Sequence, residues 1–247
     1  MLTYAFVTDV GGRKVNEDSI GIFEKDNYQC FVVCDGLGGH GMGDAASSLV
    51  KDHFGRRFEG ITGAKHFLGM AFEGAQAELL ETQRLLNAGN KMKTTAVALL
   101  TDGKKAYIGH IGDSRLYVFS KNAVSTKTAD HSLPQMLVKS GEIKEEEIRN
   151  HPERNIVMRV MGTKWEEDHK YELMKPIPLK KCQAFLLCTD GFWELINEDE
   201  MCECLKDVGY ASEWLIKMNN IVRKNGLSKG ENMDNYSAIA VWNIKGR

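Results

Sequence analysis

Proline, net charge and long apolar runs are all scarce in this sequence. It holds 4 prolines in 247 residues, and its formal net charge is -2. No apolar run approaches the roughly 18 residues that a membrane-spanning helix needs. A nearly neutral chain also lacks the basic surface that is typical of proteins that bind nucleic acid or anionic membranes. We therefore expect neither a nucleic-acid partner nor a membrane association.

Secretion signals and zinc-type cysteine spacing are missing as well. The N-terminal stretch MLTYAFVTDVGG has no basic segment followed by an apolar one, which predicts a cytoplasmic protein. Among the cysteines, Cys202 and Cys204 are separated by one residue, unlike zinc ligands, whereas Cys30 and Cys34 belong to one apolar run. A chain of this length does not depend on disulfides. We therefore expect free and mostly buried thiols.

The predicted strands come in hairpins, and the predicted helices come in pairs. Apolar runs at residues 29–34 and 184–188 predict buried strands, and the spacing of apolar residues over 43–58 predicts a helix. The regular strand-helix alternation of a parallel sheet is not present. We expect an α+β protein with mostly antiparallel sheet in a single domain, residues 1–247. The charged region 131–168 is predicted to leave the core.

Acidic residues recur where predicted strands end. In the stretch FVVCDGLGGHG, residues 31–41, an apolar run ends at Asp35 and a glycine-rich loop follows. Five further acids lie in turns or at strand ends: Glu17, Asp18, Asp113, Asp190 and Asp234. If these loops meet at one end of a sheet, the carboxylates repel strongly, and the cluster needs protons or cations. Oxygen ligands without a histidine or cysteine pattern favour magnesium or manganese over zinc.

Arg13 lies close to two of these acids and is the matching cation. A guanidinium beside a metal site can hold a phosphate through two parallel hydrogen bonds. An isolated arginine in a turn is more commonly a solvated surface charge, and an isolated acid in a turn commonly accepts bonds from its own backbone. We favour that plainer interpretation for Asp102. The functional interpretation of the other acids depends on the whole set.

The glycine loop after Asp35 also allows a different interpretation. It matches G-x-G-x-x-G between a predicted strand and a predicted helix, as in dinucleotide-binding proteins. An aspartate directly before the first glycine has the wrong charge for a pyrophosphate, and no second strand-helix-strand unit follows. Among the histidines, His40 is a candidate proton donor to a leaving alkoxide, whereas His131 is expected to fix a turn.

Eight stretches in chain order carry a resemblance to a known family: GGRKVNEDS, VVCDGLGGHG, KTTAVALL, GHIGDSRLY, TADHS, HPERNIVMRVMG, LLCTDGFWE and MDNYSAIAV. Because of the order and spacing of these stretches, the chain resembles the metal-dependent protein serine/threonine phosphatases of the PP2C (PPM) family, most of all the compact bacterial members. The resemblance implies a four-layer α-β-β-α sandwich, in which two mostly antiparallel sheets are flanked by helices. It also implies a small flap subdomain at about residues 131–163.

The resemblance implies a pair of metal ions, manganese or magnesium. By this resemblance, Asp35 would bridge the two ions, and the carbonyl of Gly36 and the side chain of Glu17 would help to hold one of them. Asp190 and Asp234 would hold the other.

Further roles follow from the same resemblance. Asp113 would help to bind a third ion, Asp18 would orient a metal-bound water, and Arg13 would hold the substrate phosphate. Animal members carry a histidine directly after the Asp-Gly pair as the general acid. Here that position is Leu37, so either His40 or a metal-bound water is left as the acid.

The function that the resemblance implies is hydrolysis of phosphoserine and phosphothreonine in proteins by a metal-activated bridging water, without a phosphoenzyme. Two alternatives stay open at this point: a phosphoesterase for small phosphate esters or nucleotides, and a non-catalytic phosphoprotein-binding module on the same fold. The expected partners are phosphoprotein substrates and a cognate kinase. We expect a monomer.

Overall fold

The computed structural model describes residues 2–37, 41–89, 91–166 and 170–244. The strands are β1 (Leu2–Asp9), β2 (Ser19–Lys25), β3 (Tyr28–Cys34), β4 (Gly36–Leu37), β5 (Lys93–Thr94), β6 (Ala96–Thr101), β7 (Lys105–Ile111), β8 (Arg115–Ser120), β9 (Ala123–Lys127), β10 (Glu172–Leu173), β11 (Ile177–Pro178), β12 (Ala184–Cys188) and β13 (Tyr236–Asn243). The α-helices are α1 (Gly43–Glu59), α2 (Phe67–Leu86), α3 (Leu133–Ser140), α4 (Asp190–Trp193), α5 (Glu198–Leu205) and α6 (Ala211–Gly226). Short 3-10 helices lie at Glu145–Asn150, Leu179–Lys181 and Leu227–Asn232.

Two antiparallel sheets form the centre of the fold. One has the strand order β1-β13-β12-β8-β9, and the other has the order β10-β7-β6-β3-β2, with β11 also pairing with β7. The pairs within both sheets are antiparallel, as is the small β4-β5 pair. This topology contradicts the dinucleotide-binding alternative, which requires parallel strands joined by crossover helices. That alternative is wrong.

The central strands are buried on both faces, which produces the layers. In β3, Phe31 and Val33 belong to the core between the two sheets, whereas Cys30, Val32 and Cys34 belong to the core beneath α1 and α2. Successive side chains of a strand point to opposite faces, so a continuous apolar run fills two cores at once. The outer face of the other sheet packs against α4, α5 and α6. The result is the four-layer α-β-β-α sandwich that the resemblance implied.

The cysteines match the expectation of free and mostly buried thiols. All six cysteines are free, and only Cys202 among them is not fully buried. Burial raises the pKa of the Cys30, Cys34 and Cys188 thiols above their usual range, so these thiols are poor nucleophiles. Within the described ranges, no helix is both long and apolar enough to cross a membrane.

Three local features go beyond what the sequence patterns predict. Pro134 lies within a helix, because it occupies the first turn of α3, where its missing N–H has no helical partner to lose. Gly36 and Leu37 form the short strand β4 instead of a turn. Strand β9 was not predicted, because its five residues alternate only weakly between exposed and half-buried positions. The single-domain assignment and the flap boundaries stay predictions.

Candidate metal centre

One end of the sandwich collects the candidate acids, because antiparallel hairpins reverse direction there. Asp35 follows β3, Asp113 lies between β7 and β8, and Asp190 follows β12 as the first residue of α4. Glu17 and Asp18 precede β2, and Asp234 precedes β13. The ends of β3, β7 and β12 therefore meet the beginnings of β2, β8 and β13 at one edge of the two sheets.

The carboxyl groups act on one another through space. Burial, followed by the charges of Asp190, Asp18 and Asp113, raises the pKa of Asp35 well above its usual range. Burial and the charge of Asp234 raise the pKa of Asp190 to about 7, and the side chain of Asp190 is also hydrogen-bonded to Asp35. Mutual repulsion of this kind requires short separations, so the acids form one cluster.

The remaining acids belong to the same electrostatic unit. Burial, followed by interactions that include repulsion from Asp190 and Asp234, raises the pKa of Asp18 to about 7. Burial and the charge of Asp190 raise the pKa of Asp113 well above its usual range. Burial and the charge of Asp44 raise the pKa of Glu17. Glu17, Asp18 and Asp113 therefore hold their protons more tightly than they would in water.

Asp35 is fixed by two threonines where β5 leads into β6. Its N–H donates to Thr95 Oγ1 at 3.1 Å, and its carbonyl oxygen accepts from the Thr95 N–H at 2.8 Å and from Thr94 Oγ1 at 2.8 Å. Thr95 Oγ1 also lies 2.7 Å from Ser114 Oγ. These contacts set the direction of the chain at the point where Asp35 leaves the sheet, and they join it to the loop that carries Asp113.

Two glycines allow Glu17 to approach the start of α1. The N–H of Gly36 donates to the Glu17 carbonyl at 3.1 Å. A Cβ on Gly36 would lie 2.3 Å from the Gly43 carbonyl oxygen, and a Cβ on Gly43 would lie 2.9 Å from Glu17 Oε1. No larger residue fits at either position without moving the backbone. The close approach leaves Glu17 and Gly36 side by side.

Asn235 ties the loop before β2 to the beginning of β13. Its Oδ1 accepts from the Glu17 N–H at 2.8 Å, and its Nδ2 donates to the carbonyls of Val10 and Val15 at 2.8 and 3.0 Å. One buried amide thus holds both ends of the loop that carries Arg13. Asn235 is not among the residues predicted from the sequence, because nothing in its local sequence marks it except its place beside Asp234.

Asp18 and Asp234 are each held by polar contacts to neighbouring loops. Thr189 Oγ1 donates to Asp18 Oδ2 at 3.0 Å. Arg13 Nη2 donates to Asp234 Oδ2 at 2.9 Å, and the Arg13 side chain is 53% exposed. The guanidinium therefore touches the cluster with one nitrogen and keeps most of its surface open to a ligand. A solvated surface charge, the plainer interpretation of Arg13, does not describe this contact.

Asp113 lies in the most enclosed position of the set. It is 4% exposed, and its carbonyl oxygen accepts from Trp193 Nε1 at 3.0 Å. The preceding Gly112 has φ +103°, and a Cβ on it would lie 2.5 Å from Thr95 Cγ2. A left-handed glycine is required here, because an L side chain would be strained and would collide with Thr95.

The donor set fits divalent cations that prefer oxygen ligands. Half-buried or buried carboxylates from separate loops, with a backbone carbonyl available at Gly36, match the preference of magnesium and manganese. Burial and mutual repulsion raise the pKa values of Asp35 and Asp190, and such cations would relieve the repulsion. Asp102 lies apart in a turn, where its Oδ1 accepts from the N–H groups of Lys104 and Lys105. His40 lies outside the described residues.

The family model of protein phosphatase 2C matches residues 11–230, which include all the candidate residues except Asp234. The chain belongs to the protein phosphatase 2C family.

Relatives of known function and structure cover nearly the whole chain. The chain is 33% identical over 245 residues to the serine/threonine phosphatase stp of Listeria monocytogenes, and the aligned region covers 96% of this chain and 94% of that protein. The crystal structure of Stp1 from Staphylococcus aureus superposes with a TM-score of 0.87 at 31% identity, covering 98% and 95% of the two chains.

A metal-containing structure is also similar. The catalytic domain of the phosphatase PstP, solved in complex with 2 manganese ions, superposes with a TM-score of 0.79 at 25% identity, covering 98% and 97% of the two chains. These comparisons confirm three predictions: that the chain belongs to the protein phosphatase 2C family, that it has the two-sheet fold, and that it is a metal-dependent protein phosphatase.

Replacing Asp190 with asparagine should stabilise the metal-free protein at high pH. Folding raises the pKa of Asp190 from 3.8 to about 7, so between these pH values the folded protein binds more protons than the unfolded protein. The contribution of Asp190 to stability therefore falls as the pH rises from about 4 to about 7. In EDTA at pH 8, Asp190→Asn should raise Tm by at least about 2 °C, the shift that roughly 1 kcal/mol produces in a chain of this size. The gain should shrink toward pH 5.

Thermal unfolding at both pH values measures this effect, and comparison with wild type cancels the contributions of groups that both proteins share. The control is Asp199→Asn, which removes an exposed carboxylate in the first turn of α5 and should show no gain that depends on pH in this way. A lower Tm for Asp190→Asn than for wild type at pH 8 would contradict the repulsion that we assign to this cluster.

Proposed function

We propose that this protein phosphatase hydrolyses phosphoserine and phosphothreonine in proteins at the acidic end of the sandwich, with manganese or magnesium as cofactor. The observation that carries the proposal is the convergence of Asp35, Asp190 and Asp234 from three separate loops, with Arg13 hydrogen-bonded at their edge. A cluster of this charge has no evident structural purpose, because it destabilises the fold that carries it.

Two cations would be held by the carboxylates at the centre of this cluster. Asp35 and Glu17 with the Gly36 carbonyl would serve one ion, and Asp35, Asp190 and Asp234 would serve the other. Asp113, which is buried within the loop between β7 and β8, would help to hold a third. Divalent ions at these positions supply Lewis-acid chemistry to phosphate ester hydrolysis.

The chain's own side chains then bind and orient the reactants. Arg13 would grip phosphoryl oxygens with the donors that its contact to Asp234 leaves free. Asp18, whose Oδ2 is held by Thr189, would orient the attacking water with its other carboxylate oxygen. Buried thiols such as Cys34, with a raised pKa, are not suited to form a phosphoenzyme. His40 or a water would protonate the leaving alkoxide.

The substrate class is supported by the relatives. The Listeria monocytogenes protein, similar over nearly its full length, is named a serine/threonine phosphatase. Such a substrate must be supplied by a kinase that transfers phosphate to serine or threonine, so a cognate kinase belongs to the proposal. The proposal also includes a monomeric state, a cytoplasmic location and selection of the substrate by the flap at residues 131–163.

Phosphate release from a phosphothreonine peptide tests the proposal most simply. Wild type should turn the peptide over with manganese or magnesium and lose the activity in EDTA, and Asp190→Ala should be inactive although folded, because it lacks a proposed cation ligand. The matched control is Asp199→Ala, an exposed acid of α5, which should keep full activity. Release from nucleotides or small phosphate esters but not from phosphopeptides would favour the alternative substrate class. Metal-loaded, folded protein without any turnover would favour a binding module.

Replacing Arg13 with alanine should chiefly weaken substrate binding. The variant loses the donors proposed to hold the phosphate, so KM for a phosphopeptide should rise about tenfold or more, the factor that corresponds to roughly 1.4 kcal/mol of lost charge-assisted hydrogen bonding. Steady-state kinetics at saturating manganese measures it. Lys14→Ala, which removes the neighbouring exposed charge, is the control. An unchanged KM in Arg13→Ala would show that this guanidinium does not hold the phosphate.

A further inference from the structure

His131 is a buried histidine that the proposed chemistry does not use. It follows β9 and is 4% exposed. Its ring stacks on the ring of His110 in β7, with 4.7 Å between the ring centroids and 13° between the planes. His110 in turn is held by a bond between its Nε2 and the Ala129 carbonyl at 2.9 Å. The stack packs the His131 ring against the strand that leads to Asp113.

Two hydrogen bonds join His131 to Gly112, the residue directly before Asp113. The Gly112 N–H donates to His131 Nδ1 at 3.2 Å, and the His131 N–H donates to the Gly112 carbonyl at 2.9 Å. The loop between β7 and β8 is therefore held at Gly112 from one side by this histidine. On the other side, Thr95 lies so close to Gly112 that no Cβ fits between them.

The proton of the neutral His131 ring must lie on Nε2. Because Nδ1 accepts from Gly112, it carries the lone pair, and in the neutral imidazole the other nitrogen is then protonated. Nε2 lies 3.2 Å from Glu172 Oε1, a contact that attracts the N–H although it lacks hydrogen-bond geometry. Burial and the neighbouring His110 lower the pKa of His131 to about 4, so the ring is neutral at neutral pH.

His110, His131 and Glu172 offer ligand atoms within 4.8 Å of one another, but a metal does not suit them. Lone pairs of imidazole nitrogens lie in the ring plane, so those of two stacked rings do not converge on one point. His131 Nε2 also carries the proton and cannot bind a metal while Nδ1 accepts from Gly112. What these contacts do fix is the orientation of the His131 ring toward Gly112.

We propose that His131 is a positioning residue: by accepting the Gly112 N–H through Nδ1, it holds the loop that aims the Asp113 carboxylate at a divalent cation. The inference rests on the proposed function, because it assigns Asp113 to a cation site. His131 is also the first residue of the proposed flap, and the N–H of Met158 in the same segment donates to its carbonyl at 2.7 Å. Loss of a residue that orients a metal ligand commonly weakens metal binding about 10- to 100-fold.

Two amide substitutions separate this role from a general structural one. In His131→Asn the side-chain oxygen can occupy the position of Nδ1 and accept the Gly112 N–H, whereas in His131→Gln the amide reaches only the position of Nε2. Titration of free Mn²⁺ by electron paramagnetic resonance should give near wild-type binding for His131→Asn. For His131→Gln it should give binding weakened about tenfold or more at the site that Asp113→Asn also weakens.

A double-mutant cycle makes the test specific to Asp113. In the Asp113→Asn background, His131→Gln should cause no further loss of Mn²⁺ binding, because both changes act on the same ligand. Equal Mn²⁺ binding by wild type and by both His131 variants would overturn the inference, as would losses that add fully in the double variant. If Asp113→Asn itself binds Mn²⁺ like wild type, the assignment of Asp113 in the proposed function fails as well, and the two failures are thereby distinguished.

Discussion

Repulsion among carboxyl groups at one end of the sandwich is the constraint on which the rest of the site depends. Two unit charges about 4 Å apart repel by about 4 kcal/mol at an effective dielectric constant of about 20, and a whole domain is stable by only about 5–15 kcal/mol. Burial and then this repulsion raise the pKa values of Asp35, Asp113 and Asp190. A bound divalent cation neutralises the repulsion between these carboxylates, and its attraction to the same carboxylates provides its binding energy.

The scaffold resists that repulsion with polar bridges between loops that are distant in sequence. Asn235 joins the loop around Arg13 to β13, Thr95 joins Asp35 to the loop of Asp113, and Thr189 holds Asp18. None of these residues is a proposed metal ligand. Their effect is to prevent the acids from swinging apart into solvent, so that a preformed oxygen cage meets the cation and the phosphate together.

The sequence predicts the acids better than the residues that support them. Asp35 and Asp190 follow buried apolar strands, a local pattern that can be found within ten residues, and the hairpin rhythm predicts antiparallel sheets whose loops meet. Asn235 acts on Glu17 across 218 residues of chain, and a lone asparagine in a turn has no local feature that reveals such a contact. The role of His131 likewise depends on a tertiary contact to Gly112, although a turn-fixing role was expected. The 3-10 helix at Glu145–Asn150 was hidden by its low apolar content, because helix signals rely on apolar periodicity and Ile148 is its one apolar residue.

Anomalous diffraction at the manganese absorption edge, from crystals grown with Mn²⁺, tests the central claim most directly. We expect at least two peaks about 3.5–4 Å apart, both surrounded by the carboxylates of Asp35, Asp190, Asp234 and Glu17, with Arg13 at the rim. Manganese bound elsewhere, or a well-ordered cluster that stays free of manganese while its carboxylates turn toward solvent, would contradict the assignment of this cluster as the metal centre.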